Sequence, residues 1–320
     1  MKVESTIIQN KFLRVKTLNY GASLYEVYCK KEKVNLILNL GSKENYRYKH
    51  ASVGSTCGRY AGRISNSKFK IGNKKYILNA NEGKNILHGG KIGFAAMPWK
   101  KVNHSKDKII YQLHSRDKDQ GFPGHLVVNC VYQLKKNSLL IKYEYKSNKS
   151  THVNLTNHSY WNLEKNKKKM IYNHELKLNS YKYLQTNKKL IPTGKFKNIK
   201  NSIYNFSNFE NIGKKLNYFK NKKHNIKFKG FDTTFILKKN SKNYVGTLKN
   251  NNIKVNFFSN LPSVQVYSAQ NLKYKKKLFP YQGICLETQY LPDSPNKKNF
   301  PSTLIRPNKR YTCFTKIKIN

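Results

Sequence analysis

The chain has 320 residues, 38% of them hydrophobic, and its 63 Lys+Arg against 15 Asp+Glu give a formal net charge of +48. A chain this long buries roughly three quarters of its unfolded surface, so a substantial core is within reach. The absence of a Gly-X-Y period, of sustained heptads and of a run of about 18 apolar residues excludes a collagen, a coiled coil and a membrane-spanning helix.

The charge is carried by lysine rather than arginine and runs from Lys2 to Lys318 among many Asn, Ile and Tyr residues. These residues have A/T-rich codons, so the excess reads as composition drift rather than a nucleic-acid surface. Sticking to RNA at low salt follows from charge alone. No specific nucleic-acid partner and no membrane partner is expected. The start, from Met1 to Thr6, has no apolar stretch of signal-peptide length, and a cytoplasmic protein is the default expectation. The five cysteines, Cys29, Cys57, Cys130, Cys285 and Cys313, are scattered and form no C-x-x-C pair. That pattern argues against a disulfide framework or a structural zinc site.

Along the chain, Gly58-Arg59-Tyr60-Ala61-Gly62-Arg63-Ile64 carries two of the few arginines. A guanidinium fork suits hydroxyl recognition, although surface arginines fit the same pattern. Its glycines do not follow G-x-G-x-x-G, which excludes a nucleotide loop. Asn85-Ile86-Leu87-His88-Gly89-Gly90 sets a histidine before two glycines, as an ordinary turn or a close backbone approach. Ile109–Leu113 and Leu139–Tyr145 read as strands.

From Thr151 to Leu163, alternation on a strand puts Val153 and Leu155 on one face and Asn154, Thr156 and His158 on the other. His158 stands beside Tyr160 and Trp161, rings suited to the flat apolar face of a sugar; a core histidine satisfied by its neighbours fits equally. His152 and His158 share that face, but six residues of strand separate them by roughly 20 Å, so one ion cannot bridge them and no metal site is expected.

Glu164–Lys169 reads as a solvated loop. Lys195–Lys229 is too long to be structureless, and short strands or a helical turn around Ile212–Leu216 are expected there. Ile253–Phe258 is a further strand. Val264-Gln265-Val266-Tyr267 places the valines on one face and Gln265 and Tyr267 on the other. Glu287 lies in the apolar run from Gly283 to Leu291, where a carboxylate is paired, hydrogen-bonded or functional. Many short strands without a dividing linker predict one all-β domain over 1–320, a sandwich or barrel.

Six segments, in order, resemble the aldose 1-epimerase (galactose mutarotase) family: GRYAGRI (58–64), NILHGG (85–90), LTNHSYWNL (155–163), GFDTTFIL (230–237), LPSVQVYSAQNL (261–272) and CLETQYLPDSPN…FPSTLIRP (285–307). The resemblance implies a large antiparallel β-sandwich, the galactose mutarotase-like supersandwich, with a sugar site in an open cleft. It implies interconversion of the α and β anomers of free aldohexoses such as galactose and glucose, with no cofactor and no metal. Glu287 matches the family's general base and His158 its general acid; Arg63, His88, Asp232 and Gln265 match sugar-binding positions. Gly62 departs from the asparagine often found before that arginine. Asp232, if close, is expected to keep His158 charged, and Cys285 is assigned no chemistry. A hexose-phosphate epimerase of the same superfamily, an inactive sugar-binding module and a polyanion binder are the alternatives.

Overall fold

The computed structural model describes residues 2–48, 51–221, 229–240 and 242–320. Period-two burial builds most of it. Leu126–Lys135 buries Leu126, Val128, Cys130, Tyr132 and Leu134, and its partner Ser138–Ser147 buries Leu139, Ile141, Tyr143 and Tyr145. Successive strand side chains point to opposite faces, so one face of this pair is apolar while Lys135 and Lys146 stand in solvent.

Nine antiparallel strands form the larger sheet. Their order is Lys100–His104, Lys108–Ser115, Leu126–Lys135, Ser138–Ser147, Tyr311–Ile319, Lys254–Ser259, Tyr244–Lys249, Glu175–Leu178 and Glu210–Asn211. The C-terminal strand is inserted between strands that begin at Ser138 and Lys254, tying both ends of the sheet together. A second antiparallel sheet has six strands, in the order Tyr160–Trp161, Ile284–Gln289, Ser263–Tyr267, Asp232–Leu237, Ser180–Thr186 and Pro192–Asn198. Both sheets feed one apolar cluster, which joins Val128, Val255, Phe257 and Ile317 to Phe235, Val264, Val266 and Ile284. Trp161 meets Phe257 edge-on across the two sheets at 5.3 Å between ring centroids. Such a contact adds about 0.5–1.5 kcal/mol beyond area burial. The N-terminal four-stranded sheet contributes Ile8, Val15 and Val27 to the same cluster.

The all-β, antiparallel-sandwich expectation holds, and the four strands expected from alternation are all present. Two readings change. The stretch from Thr151 to Leu163 is not one strand. It breaks into Thr151–His152, Thr156–Asn157 and Tyr160–Trp161, each paired to a different partner, so both of its faces are buried. The helical turn near Ile212 is a helix, Ile212–Lys220, whose Asn211 side chain accepts from the Lys214 N–H as an N-cap. Ile212, Leu216 and Phe219 recur at helical spacing and are buried. Residues 222–228 of the long Lys/Asn-rich stretch lie outside the described residues. Glu164–Lys169 is the exposed loop expected, with Lys167 Nζ folding back to donate to the Asn162 carbonyl at 2.6 Å. No helix among the described residues is long and apolar enough to cross a membrane.

Candidate active site

In the six-stranded sheet, Val264, Val266, Ile284 and Leu286 face the core. Their alternating neighbours therefore occupy the opposite face. Thr234, Gln265 and Glu287 stand in one cross-strand row, and Asp232, Tyr267, Cys285 and Tyr160 in the next. Four strands thus present a polar patch because each keeps period two.

Glu287 is 2% exposed and His158 5%. His158 is fixed through its backbone, which donates to the Ser55 carbonyl and accepts from the Gly54 N–H, both at 2.9 Å. Its Nε2 lies 3.7 Å from Glu287 Oε1. That is charge contact, longer than a hydrogen bond. Its Nδ1 lies 3.5 Å from Cys285 Sγ. The second carboxylate oxygen, Glu287 Oε2, has no hydrogen-bond partner among the described residues. Burial first, and the charge of Asp232 second, push the Glu287 carboxyl well above the usual carboxylate range.

Asp232 Oδ1 accepts from Gln265 Nε2 at 2.6 Å, and Gln265 Oε1 accepts in turn from the Thr234 hydroxyl. Burial raises the Asp232 carboxyl, against the opposing pull of Arg63 and of the Gln265 bond.

Arg63 and His88 arrive from a separate short pair, Arg63–Ile64 with Ile86–Leu87. The Gly62 N–H donates to His88 Nδ1 at 3.3 Å, which leaves the ring proton on Nε2. Burial, followed by the positive charges of His158 and Arg63, holds the His88 imidazole well below its ordinary value, so it is neutral. The His88 ring stands edge-on to His158, 5.4 Å between centroids. The glycine after His88 is obligatory: at Gly89, with φ +85°, a Cβ would sit 1.9 Å from the Gly58 carbonyl oxygen. Arg63 makes a fork to Glu82, with Nε and an NH2 nitrogen donating at 2.6 and 2.7 Å. Burial works against the guanidinium charge, but Glu82 and Asp232 outweigh it and raise the Arg63 pKa.

All six residues expected at the site therefore converge: Glu287 on His158, His158 on His88, Gln265 on Asp232, and Asp232 on Glu287 and Arg63. Two side chains outside that set stitch the segments together. Asn154 donates to the Ala61 and Tyr290 carbonyls and accepts from the Tyr290 N–H, clamping the arginine segment to the end of the Glu287 strand. Asp293 accepts from the Ser65 N–H and hydroxyl, and its own N–H donates to the Arg63 carbonyl.

Glu82 and Tyr267 were missed as site residues. Tyr267 was signalled by its alternation with Gln265, whereas nothing local marks Glu82 among the polar residues around it. Trp161 and Arg59, offered by the sequence as ligand-facing, are not. Trp161 is in the core. Arg59 is 2% exposed and spends its donors on the carbonyls of Ser115, Arg116, Pro123 and Gly124. His152 is held by the Thr303 hydroxyl and packs on Phe69, away from His158. His158 instead groups with Cys285 and Glu287, one donor atom of each lying within 4.8 Å of the others. A cleft of about 510 Å³ opens beside Arg63, lined also by Glu82, Lys84, Lys188, Lys189 and Ile191.

A family model described as aldose 1-epimerase matches residues 4–318. The chain is 31% identical over 330 aligned positions to a galactose mutarotase of Pongo abelii, covering 99% of this chain and 94% of the relative. It is 29% identical over 325 positions to an aldose 1-epimerase of Escherichia coli K12, covering 97% and 93%. Among solved structures, an aldose epimerase homologue from C. elegans superposes with a TM-score of 0.91 at 23% identity, covering 100% and 99% of the two chains. A galactose 1-epimerase from Lactobacillus acidophilus NCFM gives 0.88 at 26% identity, covering 100% and 95%.

Proposed function

The chain belongs to the aldose 1-epimerase family, and from that premise we propose how its polar patch performs the reaction. Its activity is that of an aldose 1-epimerase, an isomerase acting on a small-molecule sugar. Free galactose and glucose are its substrates in this reading.

Ionised Glu287 takes the proton of the C1 hydroxyl while protonated His158 gives a proton to the ring oxygen. The C1–O5 bond breaks as C1=O forms. Rotation about C1–C2 presents the other face of the aldehyde, O5 adds back, and the two side chains reverse their roles. O1 and O5 are both bonded to C1, so the acid and base must lie side by side. The observation that carries the reading is the 3.7 Å separation of Glu287 Oε1 and His158 Nε2, both buried. Burial raises the basicity of Glu287, which suits a general base working near neutrality. Neutral His88 donates from Nε2 to the oxygen where charge grows during ring opening, and Arg63 donates from its guanidinium to a sugar hydroxyl in ground and transition states alike. Asp232 and Gln265 hold hydroxyls on the far side of the patch. Gly62 offers no side chain there, so one contact is lost without loss of chemistry. The five cysteines are free and buried, which supports a reducing, cytoplasmic setting.

A second reading, a phosphorylated hexose as substrate, draws on Lys84, Lys188 and Lys189 in the cleft beside Arg63. Polarimetry of fresh α-D-galactose, α-D-glucose and glucose 6-phosphate separates the two. Faster equilibration of the free sugars supports the first reading, and a preference for the phosphate overturns it.

A further inference from the structure

We propose that His158, Cys285 and Glu287 form a binding site for a thiophilic divalent cation such as Zn²⁺ or Cd²⁺, and that its occupation shuts off sugar isomerisation. Imidazole, thiolate and carboxylate are the donor types such ions take. One atom of each lies within 4.8 Å of the others. Cys285 Sγ is 3.5 Å from His158 Nδ1, and Glu287 Oε1 is 3.7 Å from Nε2. With Zn–S near 2.3 Å and Zn–N or Zn–O near 2.0–2.2 Å, donors in a tetrahedral site stand roughly 3.3–3.6 Å apart. The 3.5 and 3.7 Å contacts run to opposite ring nitrogens, so the spacing that bears on one ion is the 4.8 Å within which one atom of each residue lies, about 1 Å beyond the tetrahedral value; turning the imidazole to give the ion a single nitrogen closes it.

An independent observation points the same way. Glu287 is 2% exposed, yet its Oε2 has no hydrogen-bond partner among the described residues. A buried carboxylate oxygen left without a donor is a ready cation ligand. Charge also balances. On binding, the Cys285 S–H bond breaks, its proton leaves to solvent, and a sulfur–metal bond forms. Thiolate and carboxylate then carry two negative charges against the two positive charges of the ion. The net +48 of the chain is spread over the surface, and charges beyond about 8–10 Å are screened by salt. Asp232, whose charge is felt at Glu287, adds a favourable local field.

The shut-off rests on the catalytic reading above, because the ion takes both the base and the acid; the binding does not. Titration of the full chain with Cd²⁺ alone, followed by thiolate-to-metal charge-transfer absorption, reads binding directly. Polarimetry of α-D-galactose over the same concentrations reads inhibition. A band saturating at one equivalent, with mutarotation lost over the same range, is expected. Cys285→Ser should lose the band. Its half-inhibiting Cd²⁺ concentration, referred to its own metal-free rate, should rise by about 100-fold or more, since loss of even an outer-shell partner weakens metal binding 10–100-fold. His158→Asn should weaken the band although the thiol remains, and Cys57→Ser, at another buried thiol, should keep it. No band, or a band unchanged in Cys285→Ser or His158→Asn, overturns the site. A one-equivalent band with undiminished mutarotation overturns the shut-off and, separately, the catalytic role of the pair.

Discussion

Glu82 touches neither Glu287 nor His158 in the geometry described, yet it grips Arg63 through two charge-assisted bonds of 2.6 and 2.7 Å. Glu82→Gln keeps the shape and removes the charge and one acceptor. Hydrogen bonds to charged groups are worth about 1.5–3 kcal/mol. The Glu82 side chain is 37% exposed against 15% for Arg63, and exposed pairs fall toward 0–1 kcal/mol. The fork is therefore worth about 1–2 kcal/mol. If Arg63 binds the sugar in ground and transition states alike, the loss appears in KM, as a rise of about 5–30-fold at 1.4 kcal/mol per decade, with kcat little changed. Initial polarimetric rates over a range of galactose concentrations measure both. A KM within twofold of wild type, or a loss confined to kcat, would refute the assignment of Arg63 as a sugar-binding residue positioned by Glu82.

The acid limb of kcat/KM should lie above the ordinary carboxylate range, because burial and Asp232 raise Glu287 and the base is lost as pH falls through its pKa; a full rate persisting at about pH 4.3, the ordinary glutamate value, contradicts this. The same shift has a stability consequence. The folded state holds a proton that the unfolded chain releases above 4.5, so the Glu287 contribution is present below that pH and lost as pH rises through the folded value. Glu287→Gln should therefore gain in Tm relative to wild type between pH 4 and 8, and parallel Tm curves would count against it. Arg59→Lys cannot reach all the carbonyls that the guanidinium serves. It should lower stability by about 2–4 kcal/mol, read as a drop in urea midpoint, and an unchanged midpoint contradicts the structural role.

Much of the fold was legible because alternation is a local property. Val264-Gln265-Val266-Tyr267 announces which residues face the core and which the patch, and the structure keeps that division. Glu287 was legible as an anomaly, a carboxylate in an apolar run. The segment around His158 misled in one respect. It looks like a regular strand, but its backbone bonds go to the segments at Gly54–Ser55, Ala61 and Leu36, which lie far off in sequence. Trp161 reads locally as a sugar platform, and only the position of Phe257 shows that it belongs to the core. Glu82 and the Cys285–His158 contact were illegible for the same reason, since each is defined by a partner that folding alone brings near.

The central claim is that Glu287 and His158 move the protons. Its most direct test is the polarimetric kcat of Glu287→Gln and of His158→Asn on fresh α-D-galactose. Each variant should turn over at least about 10²-fold more slowly than wild type, the effect of losing a positioned acid or base. Near-wild-type turnover in either would contradict the mechanism.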